Sequence, residues 1–579
     1  MDAFQDETVS IYDPKDASRT GSLSQKLATG ASARWGVLER VLLLVSLLTG
    51  AISHGYHLFL YPLYITDEGI YMEQAWSAVR EGRLSPYSYF YDHAPAGWLT
   101  IAAWVSILPH QFQTFGNAIN TGRVLMLLVH LASVFLLFQI ARRLSGSLIA
   151  AVVACFLFSL SPLAVFYQRE VLLDNLMVFW LLLSLYLATS DDRRILTPLF
   201  SGMALGISVL TKENAIFFVP VVAYLLYSKV RQRRNYRFAL SFWLFGMVAI
   251  ISLYFLYAGL KNELLPSHLN FNLNTQPADH VSLLYTIWWQ LHRSQGSILD
   301  PHSPFWTFSL GAWLPKDSFI LVGGAVATLI NLVIGLRDRV RYRGELIASL
   351  LALSYAFYLV RGSVMLEFYV VPLVPFLALN IGMLVSRILR VVPESRRVPL
   401  LSGVARSIIV AGAFAVLLVP LVPMVTGGYV VVHDQSGKEV PHDLYKLPLT
   451  TLQAQQLAFI RQNIPPSAHI IMDDDLWVQL HDVRPYYPFA HSHWKASGDP
   501  AVRDKLFARN WQNIDYIVMS NKMLIAMQQN NGDGSENYIL EALQHAEVHG
   551  RFRIFRVAGD PIRLHRDGDR HPPVRRADV

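Results

Sequence analysis

The stretch Ile65–Trp98, ITDEGIYMEQAWSAVREGRLSPYSYFYDHAPAGW, gathers residues able to do chemistry. Asp67 and Glu68 stand side by side just after the first long apolar run, and Asp92-His93 follow before the second. A carboxylate where a chain leaves hydrocarbon for water is costly unless a proton, a cation or a partner charge uses it. Further on, Arg123, the pair Arg169-Glu170 with Asp174, Lys212-Glu213, Arg361 and Glu367 each fall near the end of an apolar run. Carboxylates set among cations suit removal of a proton on one side and neutralisation of an anionic group on the other. The plainer reading is acidic residues favouring the positive end of a helix, with inter-helix ion pairs that only fix packing.

The elements that must position these residues are membrane helices. Apolar residues make up 53% of the 579-residue chain and charged ones 16%, and runs near the spanning length of about 20 residues recur. The spans expected are Val41–Leu60, Ile119–Ile140, Leu148–Phe166, Val171–Ala188, Leu196–Leu210, Ala215–Ser228, Phe238–Leu260, Phe319–Leu336, Leu346–Val360, Phe368–Val385 and Val404–Val425, about 11 in all. Trp98–Leu108 is too short to cross and reads as an interfacial or re-entrant helix ended by Pro109. Gly69–Glu81 reads as a short helix capped by Thr66 and stopped by Gly82.

The positive net charge is carried by short Arg clusters, at 142–143, 193–194, 231–237, 337–343 and 387–397, that fall on one side. The positive-inside rule makes that side the cytoplasm, with the amino terminus inside and the acidic loop outside. The same orientation gathers the remaining charged residues at the outer ends of the spans, which predicts a polar outer cavity. The chain is thus read as residues 1–35, a disordered cytoplasmic tail; 36–425, the transmembrane domain with outer loops 61–118 and 261–318; 426–558, an outer soluble α/β domain; and 559–579, a disordered tail. In the loop after Lys261, LLYTIWWQLHR suits a helix lying in the outer interface, and the histidines there are spaced too irregularly for a metal signature. Beyond Val425, Leu452–Gln462 and Tyr538–Val548 read as helices, and HIIMDD, NIDYIVMS and RFRIFRV as strands. Asp473-Asp474-Asp475 reads as an acidic strand-end turn or a cation or sugar-hydroxyl site.

One cysteine, Cys155, excludes an intrachain disulfide and cysteine-based zinc sites. Phosphate-cradling GxGxxG and GxxxxGK[ST] loops are absent, and the basic clusters serve membrane orientation rather than nucleic acid. No motif names a cofactor, and a divalent cation is compatible with the acidic pair.

Six landmarks then follow one another in order: TDEGIY, HAPAGW, NTGRVL, REVLLDNLMVF, TKENAIFF and EFYVVPLVPFLAL. Over roughly residues 41 to 390 the chain resembles the lipid-carrier-dependent membrane glycosyltransferases of the protein O-mannosyltransferase and aminoarabinose-transferase type, in the C superfamily. That resemblance implies inverting transfer of a sugar from a polyprenyl phosphate at the outer face of a cell membrane, of the prokaryotic plasma-membrane type. It implies Asp67 as general base with Glu68 beside it, and matches Arg169, Asp174, Lys212 and Tyr369 to the family's motifs; with the residue chemistry, Lys212, Arg169, Arg361 and Tyr369 are expected toward the donor phosphate, and Asp92, His93, Arg123 and Asp174 in support. The partners implied are a polyprenyl-phosphate-linked sugar, membrane lipid, and an acceptor that is a protein, a glycan or a lipid. Where the aminoarabinose-transferase branch has a Lys before Pro-Pro, this chain has Asp92-His93-Ala94-Pro95, which argues against aminoarabinose as the sugar. The rival functions are a transporter or flippase, disfavoured because the polar residues collect at one face rather than the midplane, and a non-catalytic scaffold.

Overall fold

The computed structural model describes residues 36–88, 91, 93–190, 192, 194, 196–232, 234–266, 282–292, 298–361, 365–391, 448–520, 537–550 and 553–557, with a few isolated positions and two short strands between 404 and 527. Asp92, most of the expected span Val404–Val425, and both terminal segments expected to be disordered lie outside the described residues. Contacts divide the chain after Val45, so that everything from Ser46 onward forms one compact unit. The segment before that boundary is the start of the Val37–Gly55 helix, whose Val37 and Leu38 are exposed.

Seven described helices are long and apolar enough to cross a membrane: Val37–Gly55, Ala118–Ser145, Glu213–Val230, Tyr236–Leu260, Pro304–Arg337, Arg343–Val360 and Glu367–Arg390. Three further expected spans are shorter helices, Leu148–Leu160, Leu173–Ala188 and Leu196–Thr211, so the expected count is met only in part. The Pro304–Arg337 helix begins well before Phe319, where hydropathy placed it. Lys316-Asp317 interrupts its apolar run, and Asp317 leaves helical geometry there between two π-helical turns. Ala96–Ser106 is the expected short helix, with Trp98, Ile101 and Val105 buried and Leu99 exposed. The aromatic segment in the following long loop forms the Leu283–His292 helix.

Helix packing is close where the sequence supplies small residues. A β-carbon at Gly202 would overlap the Trp243 carbonyl, and one at Gly246 would lie 2.5 Å from the Leu199 carbonyl oxygen, so helices Leu196–Thr211 and Tyr236–Leu260 meet backbone to backbone. Asn331 Nδ2 donates to Asn380 Oδ1 at 3.0 Å, while Asn380 Nδ2 donates to the Ala348 carbonyl at 2.8 Å, tying three helices together.

The arginine clusters converge on one end. Arg143 donates to the Tyr186 carbonyl at 2.7 Å, Arg343 to Ser228 at 3.2 Å and Arg390 to Ser145 at 2.6 Å. Cations there satisfy the carbonyls left over at neighbouring helix ends. Arg123, Asp174, Lys212 and Tyr369 lie at the opposite ends of those same helices or their neighbours.

The carboxyl-terminal region carries an antiparallel pair, β1 (Val431–His433) with β2 (Glu439–Pro441), and a five-stranded sheet of order β4-β3-β5-β7-β6. Its strands are β3 (Ile470–Met472), β4 (Ala490–Ser492), β5 (Tyr516–Val518), β6 (Ala546–Val548) and β7 (Ile554–Val557). The three expected strands are β3, β5 and β7, and the helix expected over Leu452–Gln462 runs Thr451–Asn463. The helix expected over Tyr538–Val548 stops at Gln544, because Ala546–Val548 pairs antiparallel with β7 across a turn that places Gly550 at φ +86. β3 runs parallel to β4 and β5, and apolar residues on both its faces are buried.

Candidate active site

The acidic loop forms the Thr66–Arg80 helix. Thr66 lies inside it rather than capping it. The free amide of Ile65 instead donates 3.2 Å to the Glu68 carboxylate, which reaches back from the first turn. That carboxylate is consumed. Arg123 grips it with two bonds of 2.8 Å, the Val171 amide donates 3.0 Å, and both side chains are 0% exposed. Arg123 also donates to the carbonyls of Leu58, Pro62 and Leu63, and packs over the Tyr64 ring. The chain that enters the helix is therefore fixed to the head of the Ala118–Ser145 helix by a charge-assisted fork.

Asp67 keeps partial solvent exposure while its neighbour is sealed. Glu170, in the turn before the Leu173–Ala188 helix, is 1% exposed and feels both acids. Burial first, then the charge of Glu68, raise its carboxyl well above the ordinary range, against the pull of Arg123; Asp67 and Glu367 add smaller pushes. Two adjoining carboxyl groups thus sit in very different surroundings.

A second cluster lies around Lys212. Its ammonium donates 2.6 Å to Asp174 Oδ2, with 3% and 0% of the two side chains exposed. The rings of Tyr369 and Phe368 face the same ammonium at 4.0 and 5.0 Å. Local neutralisation of Lys212 by Glu213 does not occur. Glu213 turns away to accept 2.6 Å from the Ala94 amide and to pair with His93 at 3.2 Å, pinning the return of the loop. Lysine donates once to Asp174, whose other oxygen, Oδ1, is buried without a donor.

The remaining expected cations are placed elsewhere. Arg169 is fully buried, donates to the carbonyls of Ser53 and Tyr61 and lies over the Tyr61 ring. Arg361 is exposed, against the rings of Phe217 and Tyr358. The structure thus brings together Lys212, Asp174 and Tyr369, and separately Glu68 and Arg123. Lys316 was missed by the sequence reading, which took it for part of a loop. It lies 3.8 Å from Glu367, whose other oxygen accepts 3.0 Å from Tyr167, and it packs against Phe166 and Tyr167. The signal was present as the only lysine in an otherwise apolar stretch that begins at Pro304. No group of three or more metal-ligating side chains occurs among the described residues.

The carboxyl-terminal region closes over the acidic helix. A β-carbon at Gly69 would overlap the Asp474 backbone. Trp76 and Arg80 both donate to Asp482 Oδ1, at 3.0 and 2.8 Å, and the Ser88 amide donates 2.8 Å to Asp499. Gln453 pairs with both backbone groups of Tyr64, at 3.0 and 2.9 Å. The three adjacent aspartates are absorbed in this contact. Asp473 caps the turn Asp474–Leu476 and accepts from Ser520, Asp474 accepts 2.9 Å from Trp494, and Asp475 accepts from Gln453.

A bundle in which seven of the described helices are long and apolar enough to cross a membrane, an acidic loop helix at one end and a docked α/β cap form a recognisable plan. The solved structure of ArnT from Cupriavidus metallidurans bound to undecaprenyl phosphate superposes with a TM-score of 0.55, covering 90% of this chain and 98% of that one at 15% identity. The chain shares the fold of ArnT. The archaeal oligosaccharyltransferase AglB of Archaeoglobus fulgidus, solved with an inhibitory peptide and a dolichol-phosphate, gives a TM-score of 0.51 at 12% identity, over 91% of this chain and 75% of that one. Residues 92–257 match the sequence family described as dolichyl-phosphate-mannose-protein mannosyltransferase. No protein of curated function matches the chain by sequence.

Proposed function

We propose that this chain is a C-superfamily inverting glycosyltransferase that moves a monosaccharide from a polyprenyl phosphate to an acceptor hydroxyl or amine at the outer membrane face. The observation that carries this reading is the division of labour in the acidic pair. Glu68 spends both oxygens on Arg123 and backbone amides, so it fixes the helix, while its neighbour Asp67 keeps partial solvent exposure. Asp67 takes the acceptor proton as the acceptor atom bonds to the anomeric carbon. The bond to the phosphate oxygen breaks on the opposite side, and its electron pair leaves with the polyprenyl phosphate. A developing phosphate charge calls for cations in a water-poor setting. Lys212, backed by Asp174 and two aromatic rings, and Lys316, backed by Glu367, meet that need. The buried Arg169 instead holds the Ser53 and Tyr61 carbonyls beside the first span.

The similarity to a structure containing undecaprenyl phosphate supports a polyprenyl carrier. The arginine-rich end of the bundle supports a cytoplasmic amino terminus by the positive-inside rule. The test is transfer by the purified, lipid-reconstituted protein from a panel of polyprenyl-phosphate sugars of known anomeric configuration. Release of polyprenyl phosphate with an inverted glycosidic product is expected. A retained configuration, or turnover of sugar nucleotides alone, overturns the reading.

A further inference from the structure

Below Gly69 on the Thr66–Arg80 helix, one turn further and on the same face, stands Glu73, a carboxylate that no ion pair described above employs. Glu73 is 2% exposed and Asp474, across the contact, 0%. With Gly69 pressed on the Asp474 backbone, the two carboxyl groups meet within hydrogen-bonding reach. Trp494 supplies one donor, to Asp474 Oδ2. Glu73 Oε2 and Asp474 Oδ1 remain buried with no donor. Two carboxylates facing each other away from water lose solvation and repel, so both cannot keep their charge there. One shared proton supplies the donor that neither side chain otherwise has.

The groups facing the pair come from several elements. Lys495, from the short helix after β4, favours the ionised form of Glu73. Asp473, beside Asp474, opposes ionisation of its neighbour. The Tyr87 ring, under the Lys495 ammonium at 5.3 Å, senses both carboxyls, and its hydroxyl meets Trp477 Nε1 at 2.8 Å and His491 at 3.3 Å. We propose that Glu73 and Asp474 form a proton-operated latch between the helix that carries Asp67 and the carboxyl-terminal domain, closed while the pair holds a proton and loosened when both acids ionise.

The sign follows from linkage. Burial, the largest cause, raises Glu73 to about 7 even against the hydrogen bond from Asp474 and the Lys495 charge. Burial and then Glu73 itself raise Asp474 well above its ordinary range. Asp475, in the same contact, is lifted to about 8 by burial and then by Asp473. Groups raised in the docked state release their protons on undocking, so docking is strongest below the free carboxyl range of about 4.5 and weakens as pH rises through about 7.

Hydrogen exchange on the full-length, lipid-reconstituted protein, corrected for intrinsic rates, reads the latch without any substrate. Between about pH 5.5 and 8.5, protection over residues 66–80 and 474–482 should fall by on the order of a hundredfold, while the Ala118–Ser145 helix holds constant. Glu73→Gln provides a permanent donor and should diminish that fall, and Asp474→Asn should do the same, the remainder titrating with Asp475. Protection independent of pH in the unmodified protein overturns the latch, as does an undiminished fall in a folded Glu73→Gln variant. If both variants fail to fold, the pH profile of the unmodified protein decides alone. The latch is read from docking, so its failure leaves the transferase reading standing, and absent transfer with an intact pH response sinks only the latter.

Discussion

Glu68–Arg123 and Asp174–Lys212 are both buried ion pairs at the same end of the bundle, yet they are built to opposite specifications. Every oxygen of Glu68 has a donor, and Arg123 meets three further carbonyls. Asp174 leaves Oδ1 without one, and Lys212 spends a single described hydrogen bond before turning to aromatic faces. A saturated pair holds architecture, because nothing is left for a ligand to meet. An unsaturated one retains capacity, which is costly to bury unless something uses it. Under the proposed function, the difference separates scaffold from chemistry among residues that look alike in sequence.

The largest effect expected falls outside both pairs. Asp67→Asn keeps shape but removes proton acceptance, and should lower turnover by about 10²–10⁴ with the fold intact, measured as product formed by reconstituted protein. Near-normal transfer would move the base to another carboxylate and remove the contrast with Glu68. Glu68→Gln should then act through stability. Leaving Arg123 buried without its counter-charge costs about 3–5 kcal/mol, visible as a lowered thermal midpoint before any kinetic change in the protein that survives. A stable but inactive Glu68→Gln would show that the saturated pair takes part in chemistry after all.

Lys212→Ala sharpens the comparison from the other side. Loss of a charged hydrogen bond of roughly 1.5–3 kcal/mol predicts a ten- to hundredfold loss in donor use, with acceptor dependence unchanged. Unchanged donor dependence would make this pair architectural too. Gly69→Ala should cost about 1–3 kcal/mol, because its methyl group overlaps the Asp474 backbone; limited proteolysis between bundle and cap reads it. The smallest effect belongs to His93→Ala. Its Glu213 partner is half exposed, so less than about 1 kcal/mol is expected in a thermal melt.

Much of the fold was legible because hydropathy and helix length are local properties. The long helices, the short Ala96–Ser106 helix and strands β3, β5 and β7 were each written in a contiguous run. Misreadings arose where a distant partner decided. Thr66 was expected to cap its helix, but Glu68 does so once Arg123 orients it from 55 residues away. Lys212 had a neighbour of opposite charge in Glu213, yet pairs with Asp174, which folding brings across from another helix. Ala546–Val548 had helical composition and became a strand because β7 offered an unpaired edge. The acidic pair was visible from adjacency alone, whereas the roles of its two members depended on burial, which no local pattern records. The aspartate triplet read as either an acidic strand-end turn or a ligand site, and in the fold it forms a turn whose acids accept from Ser520, Trp494 and Gln453.

The cap's contacts with the Thr66–Arg80 helix span long stretches of chain. Gln453 meets Tyr64 across 389 residues, and Asp499 meets Ser88 across 411. At about 5–20 residues per second, a ribosome needs on the order of tens of seconds between making the helix and making what covers it. During that interval the bundle can insert and the Arg123 clamp can close, because Arg123 follows Glu68 by only 55 residues. The acidic helix therefore waits, anchored at its head and bare along the face of Gly69 and Glu73, until nearly the whole chain has been translated. A nascent or prematurely terminated product would carry Asp67 without its cap.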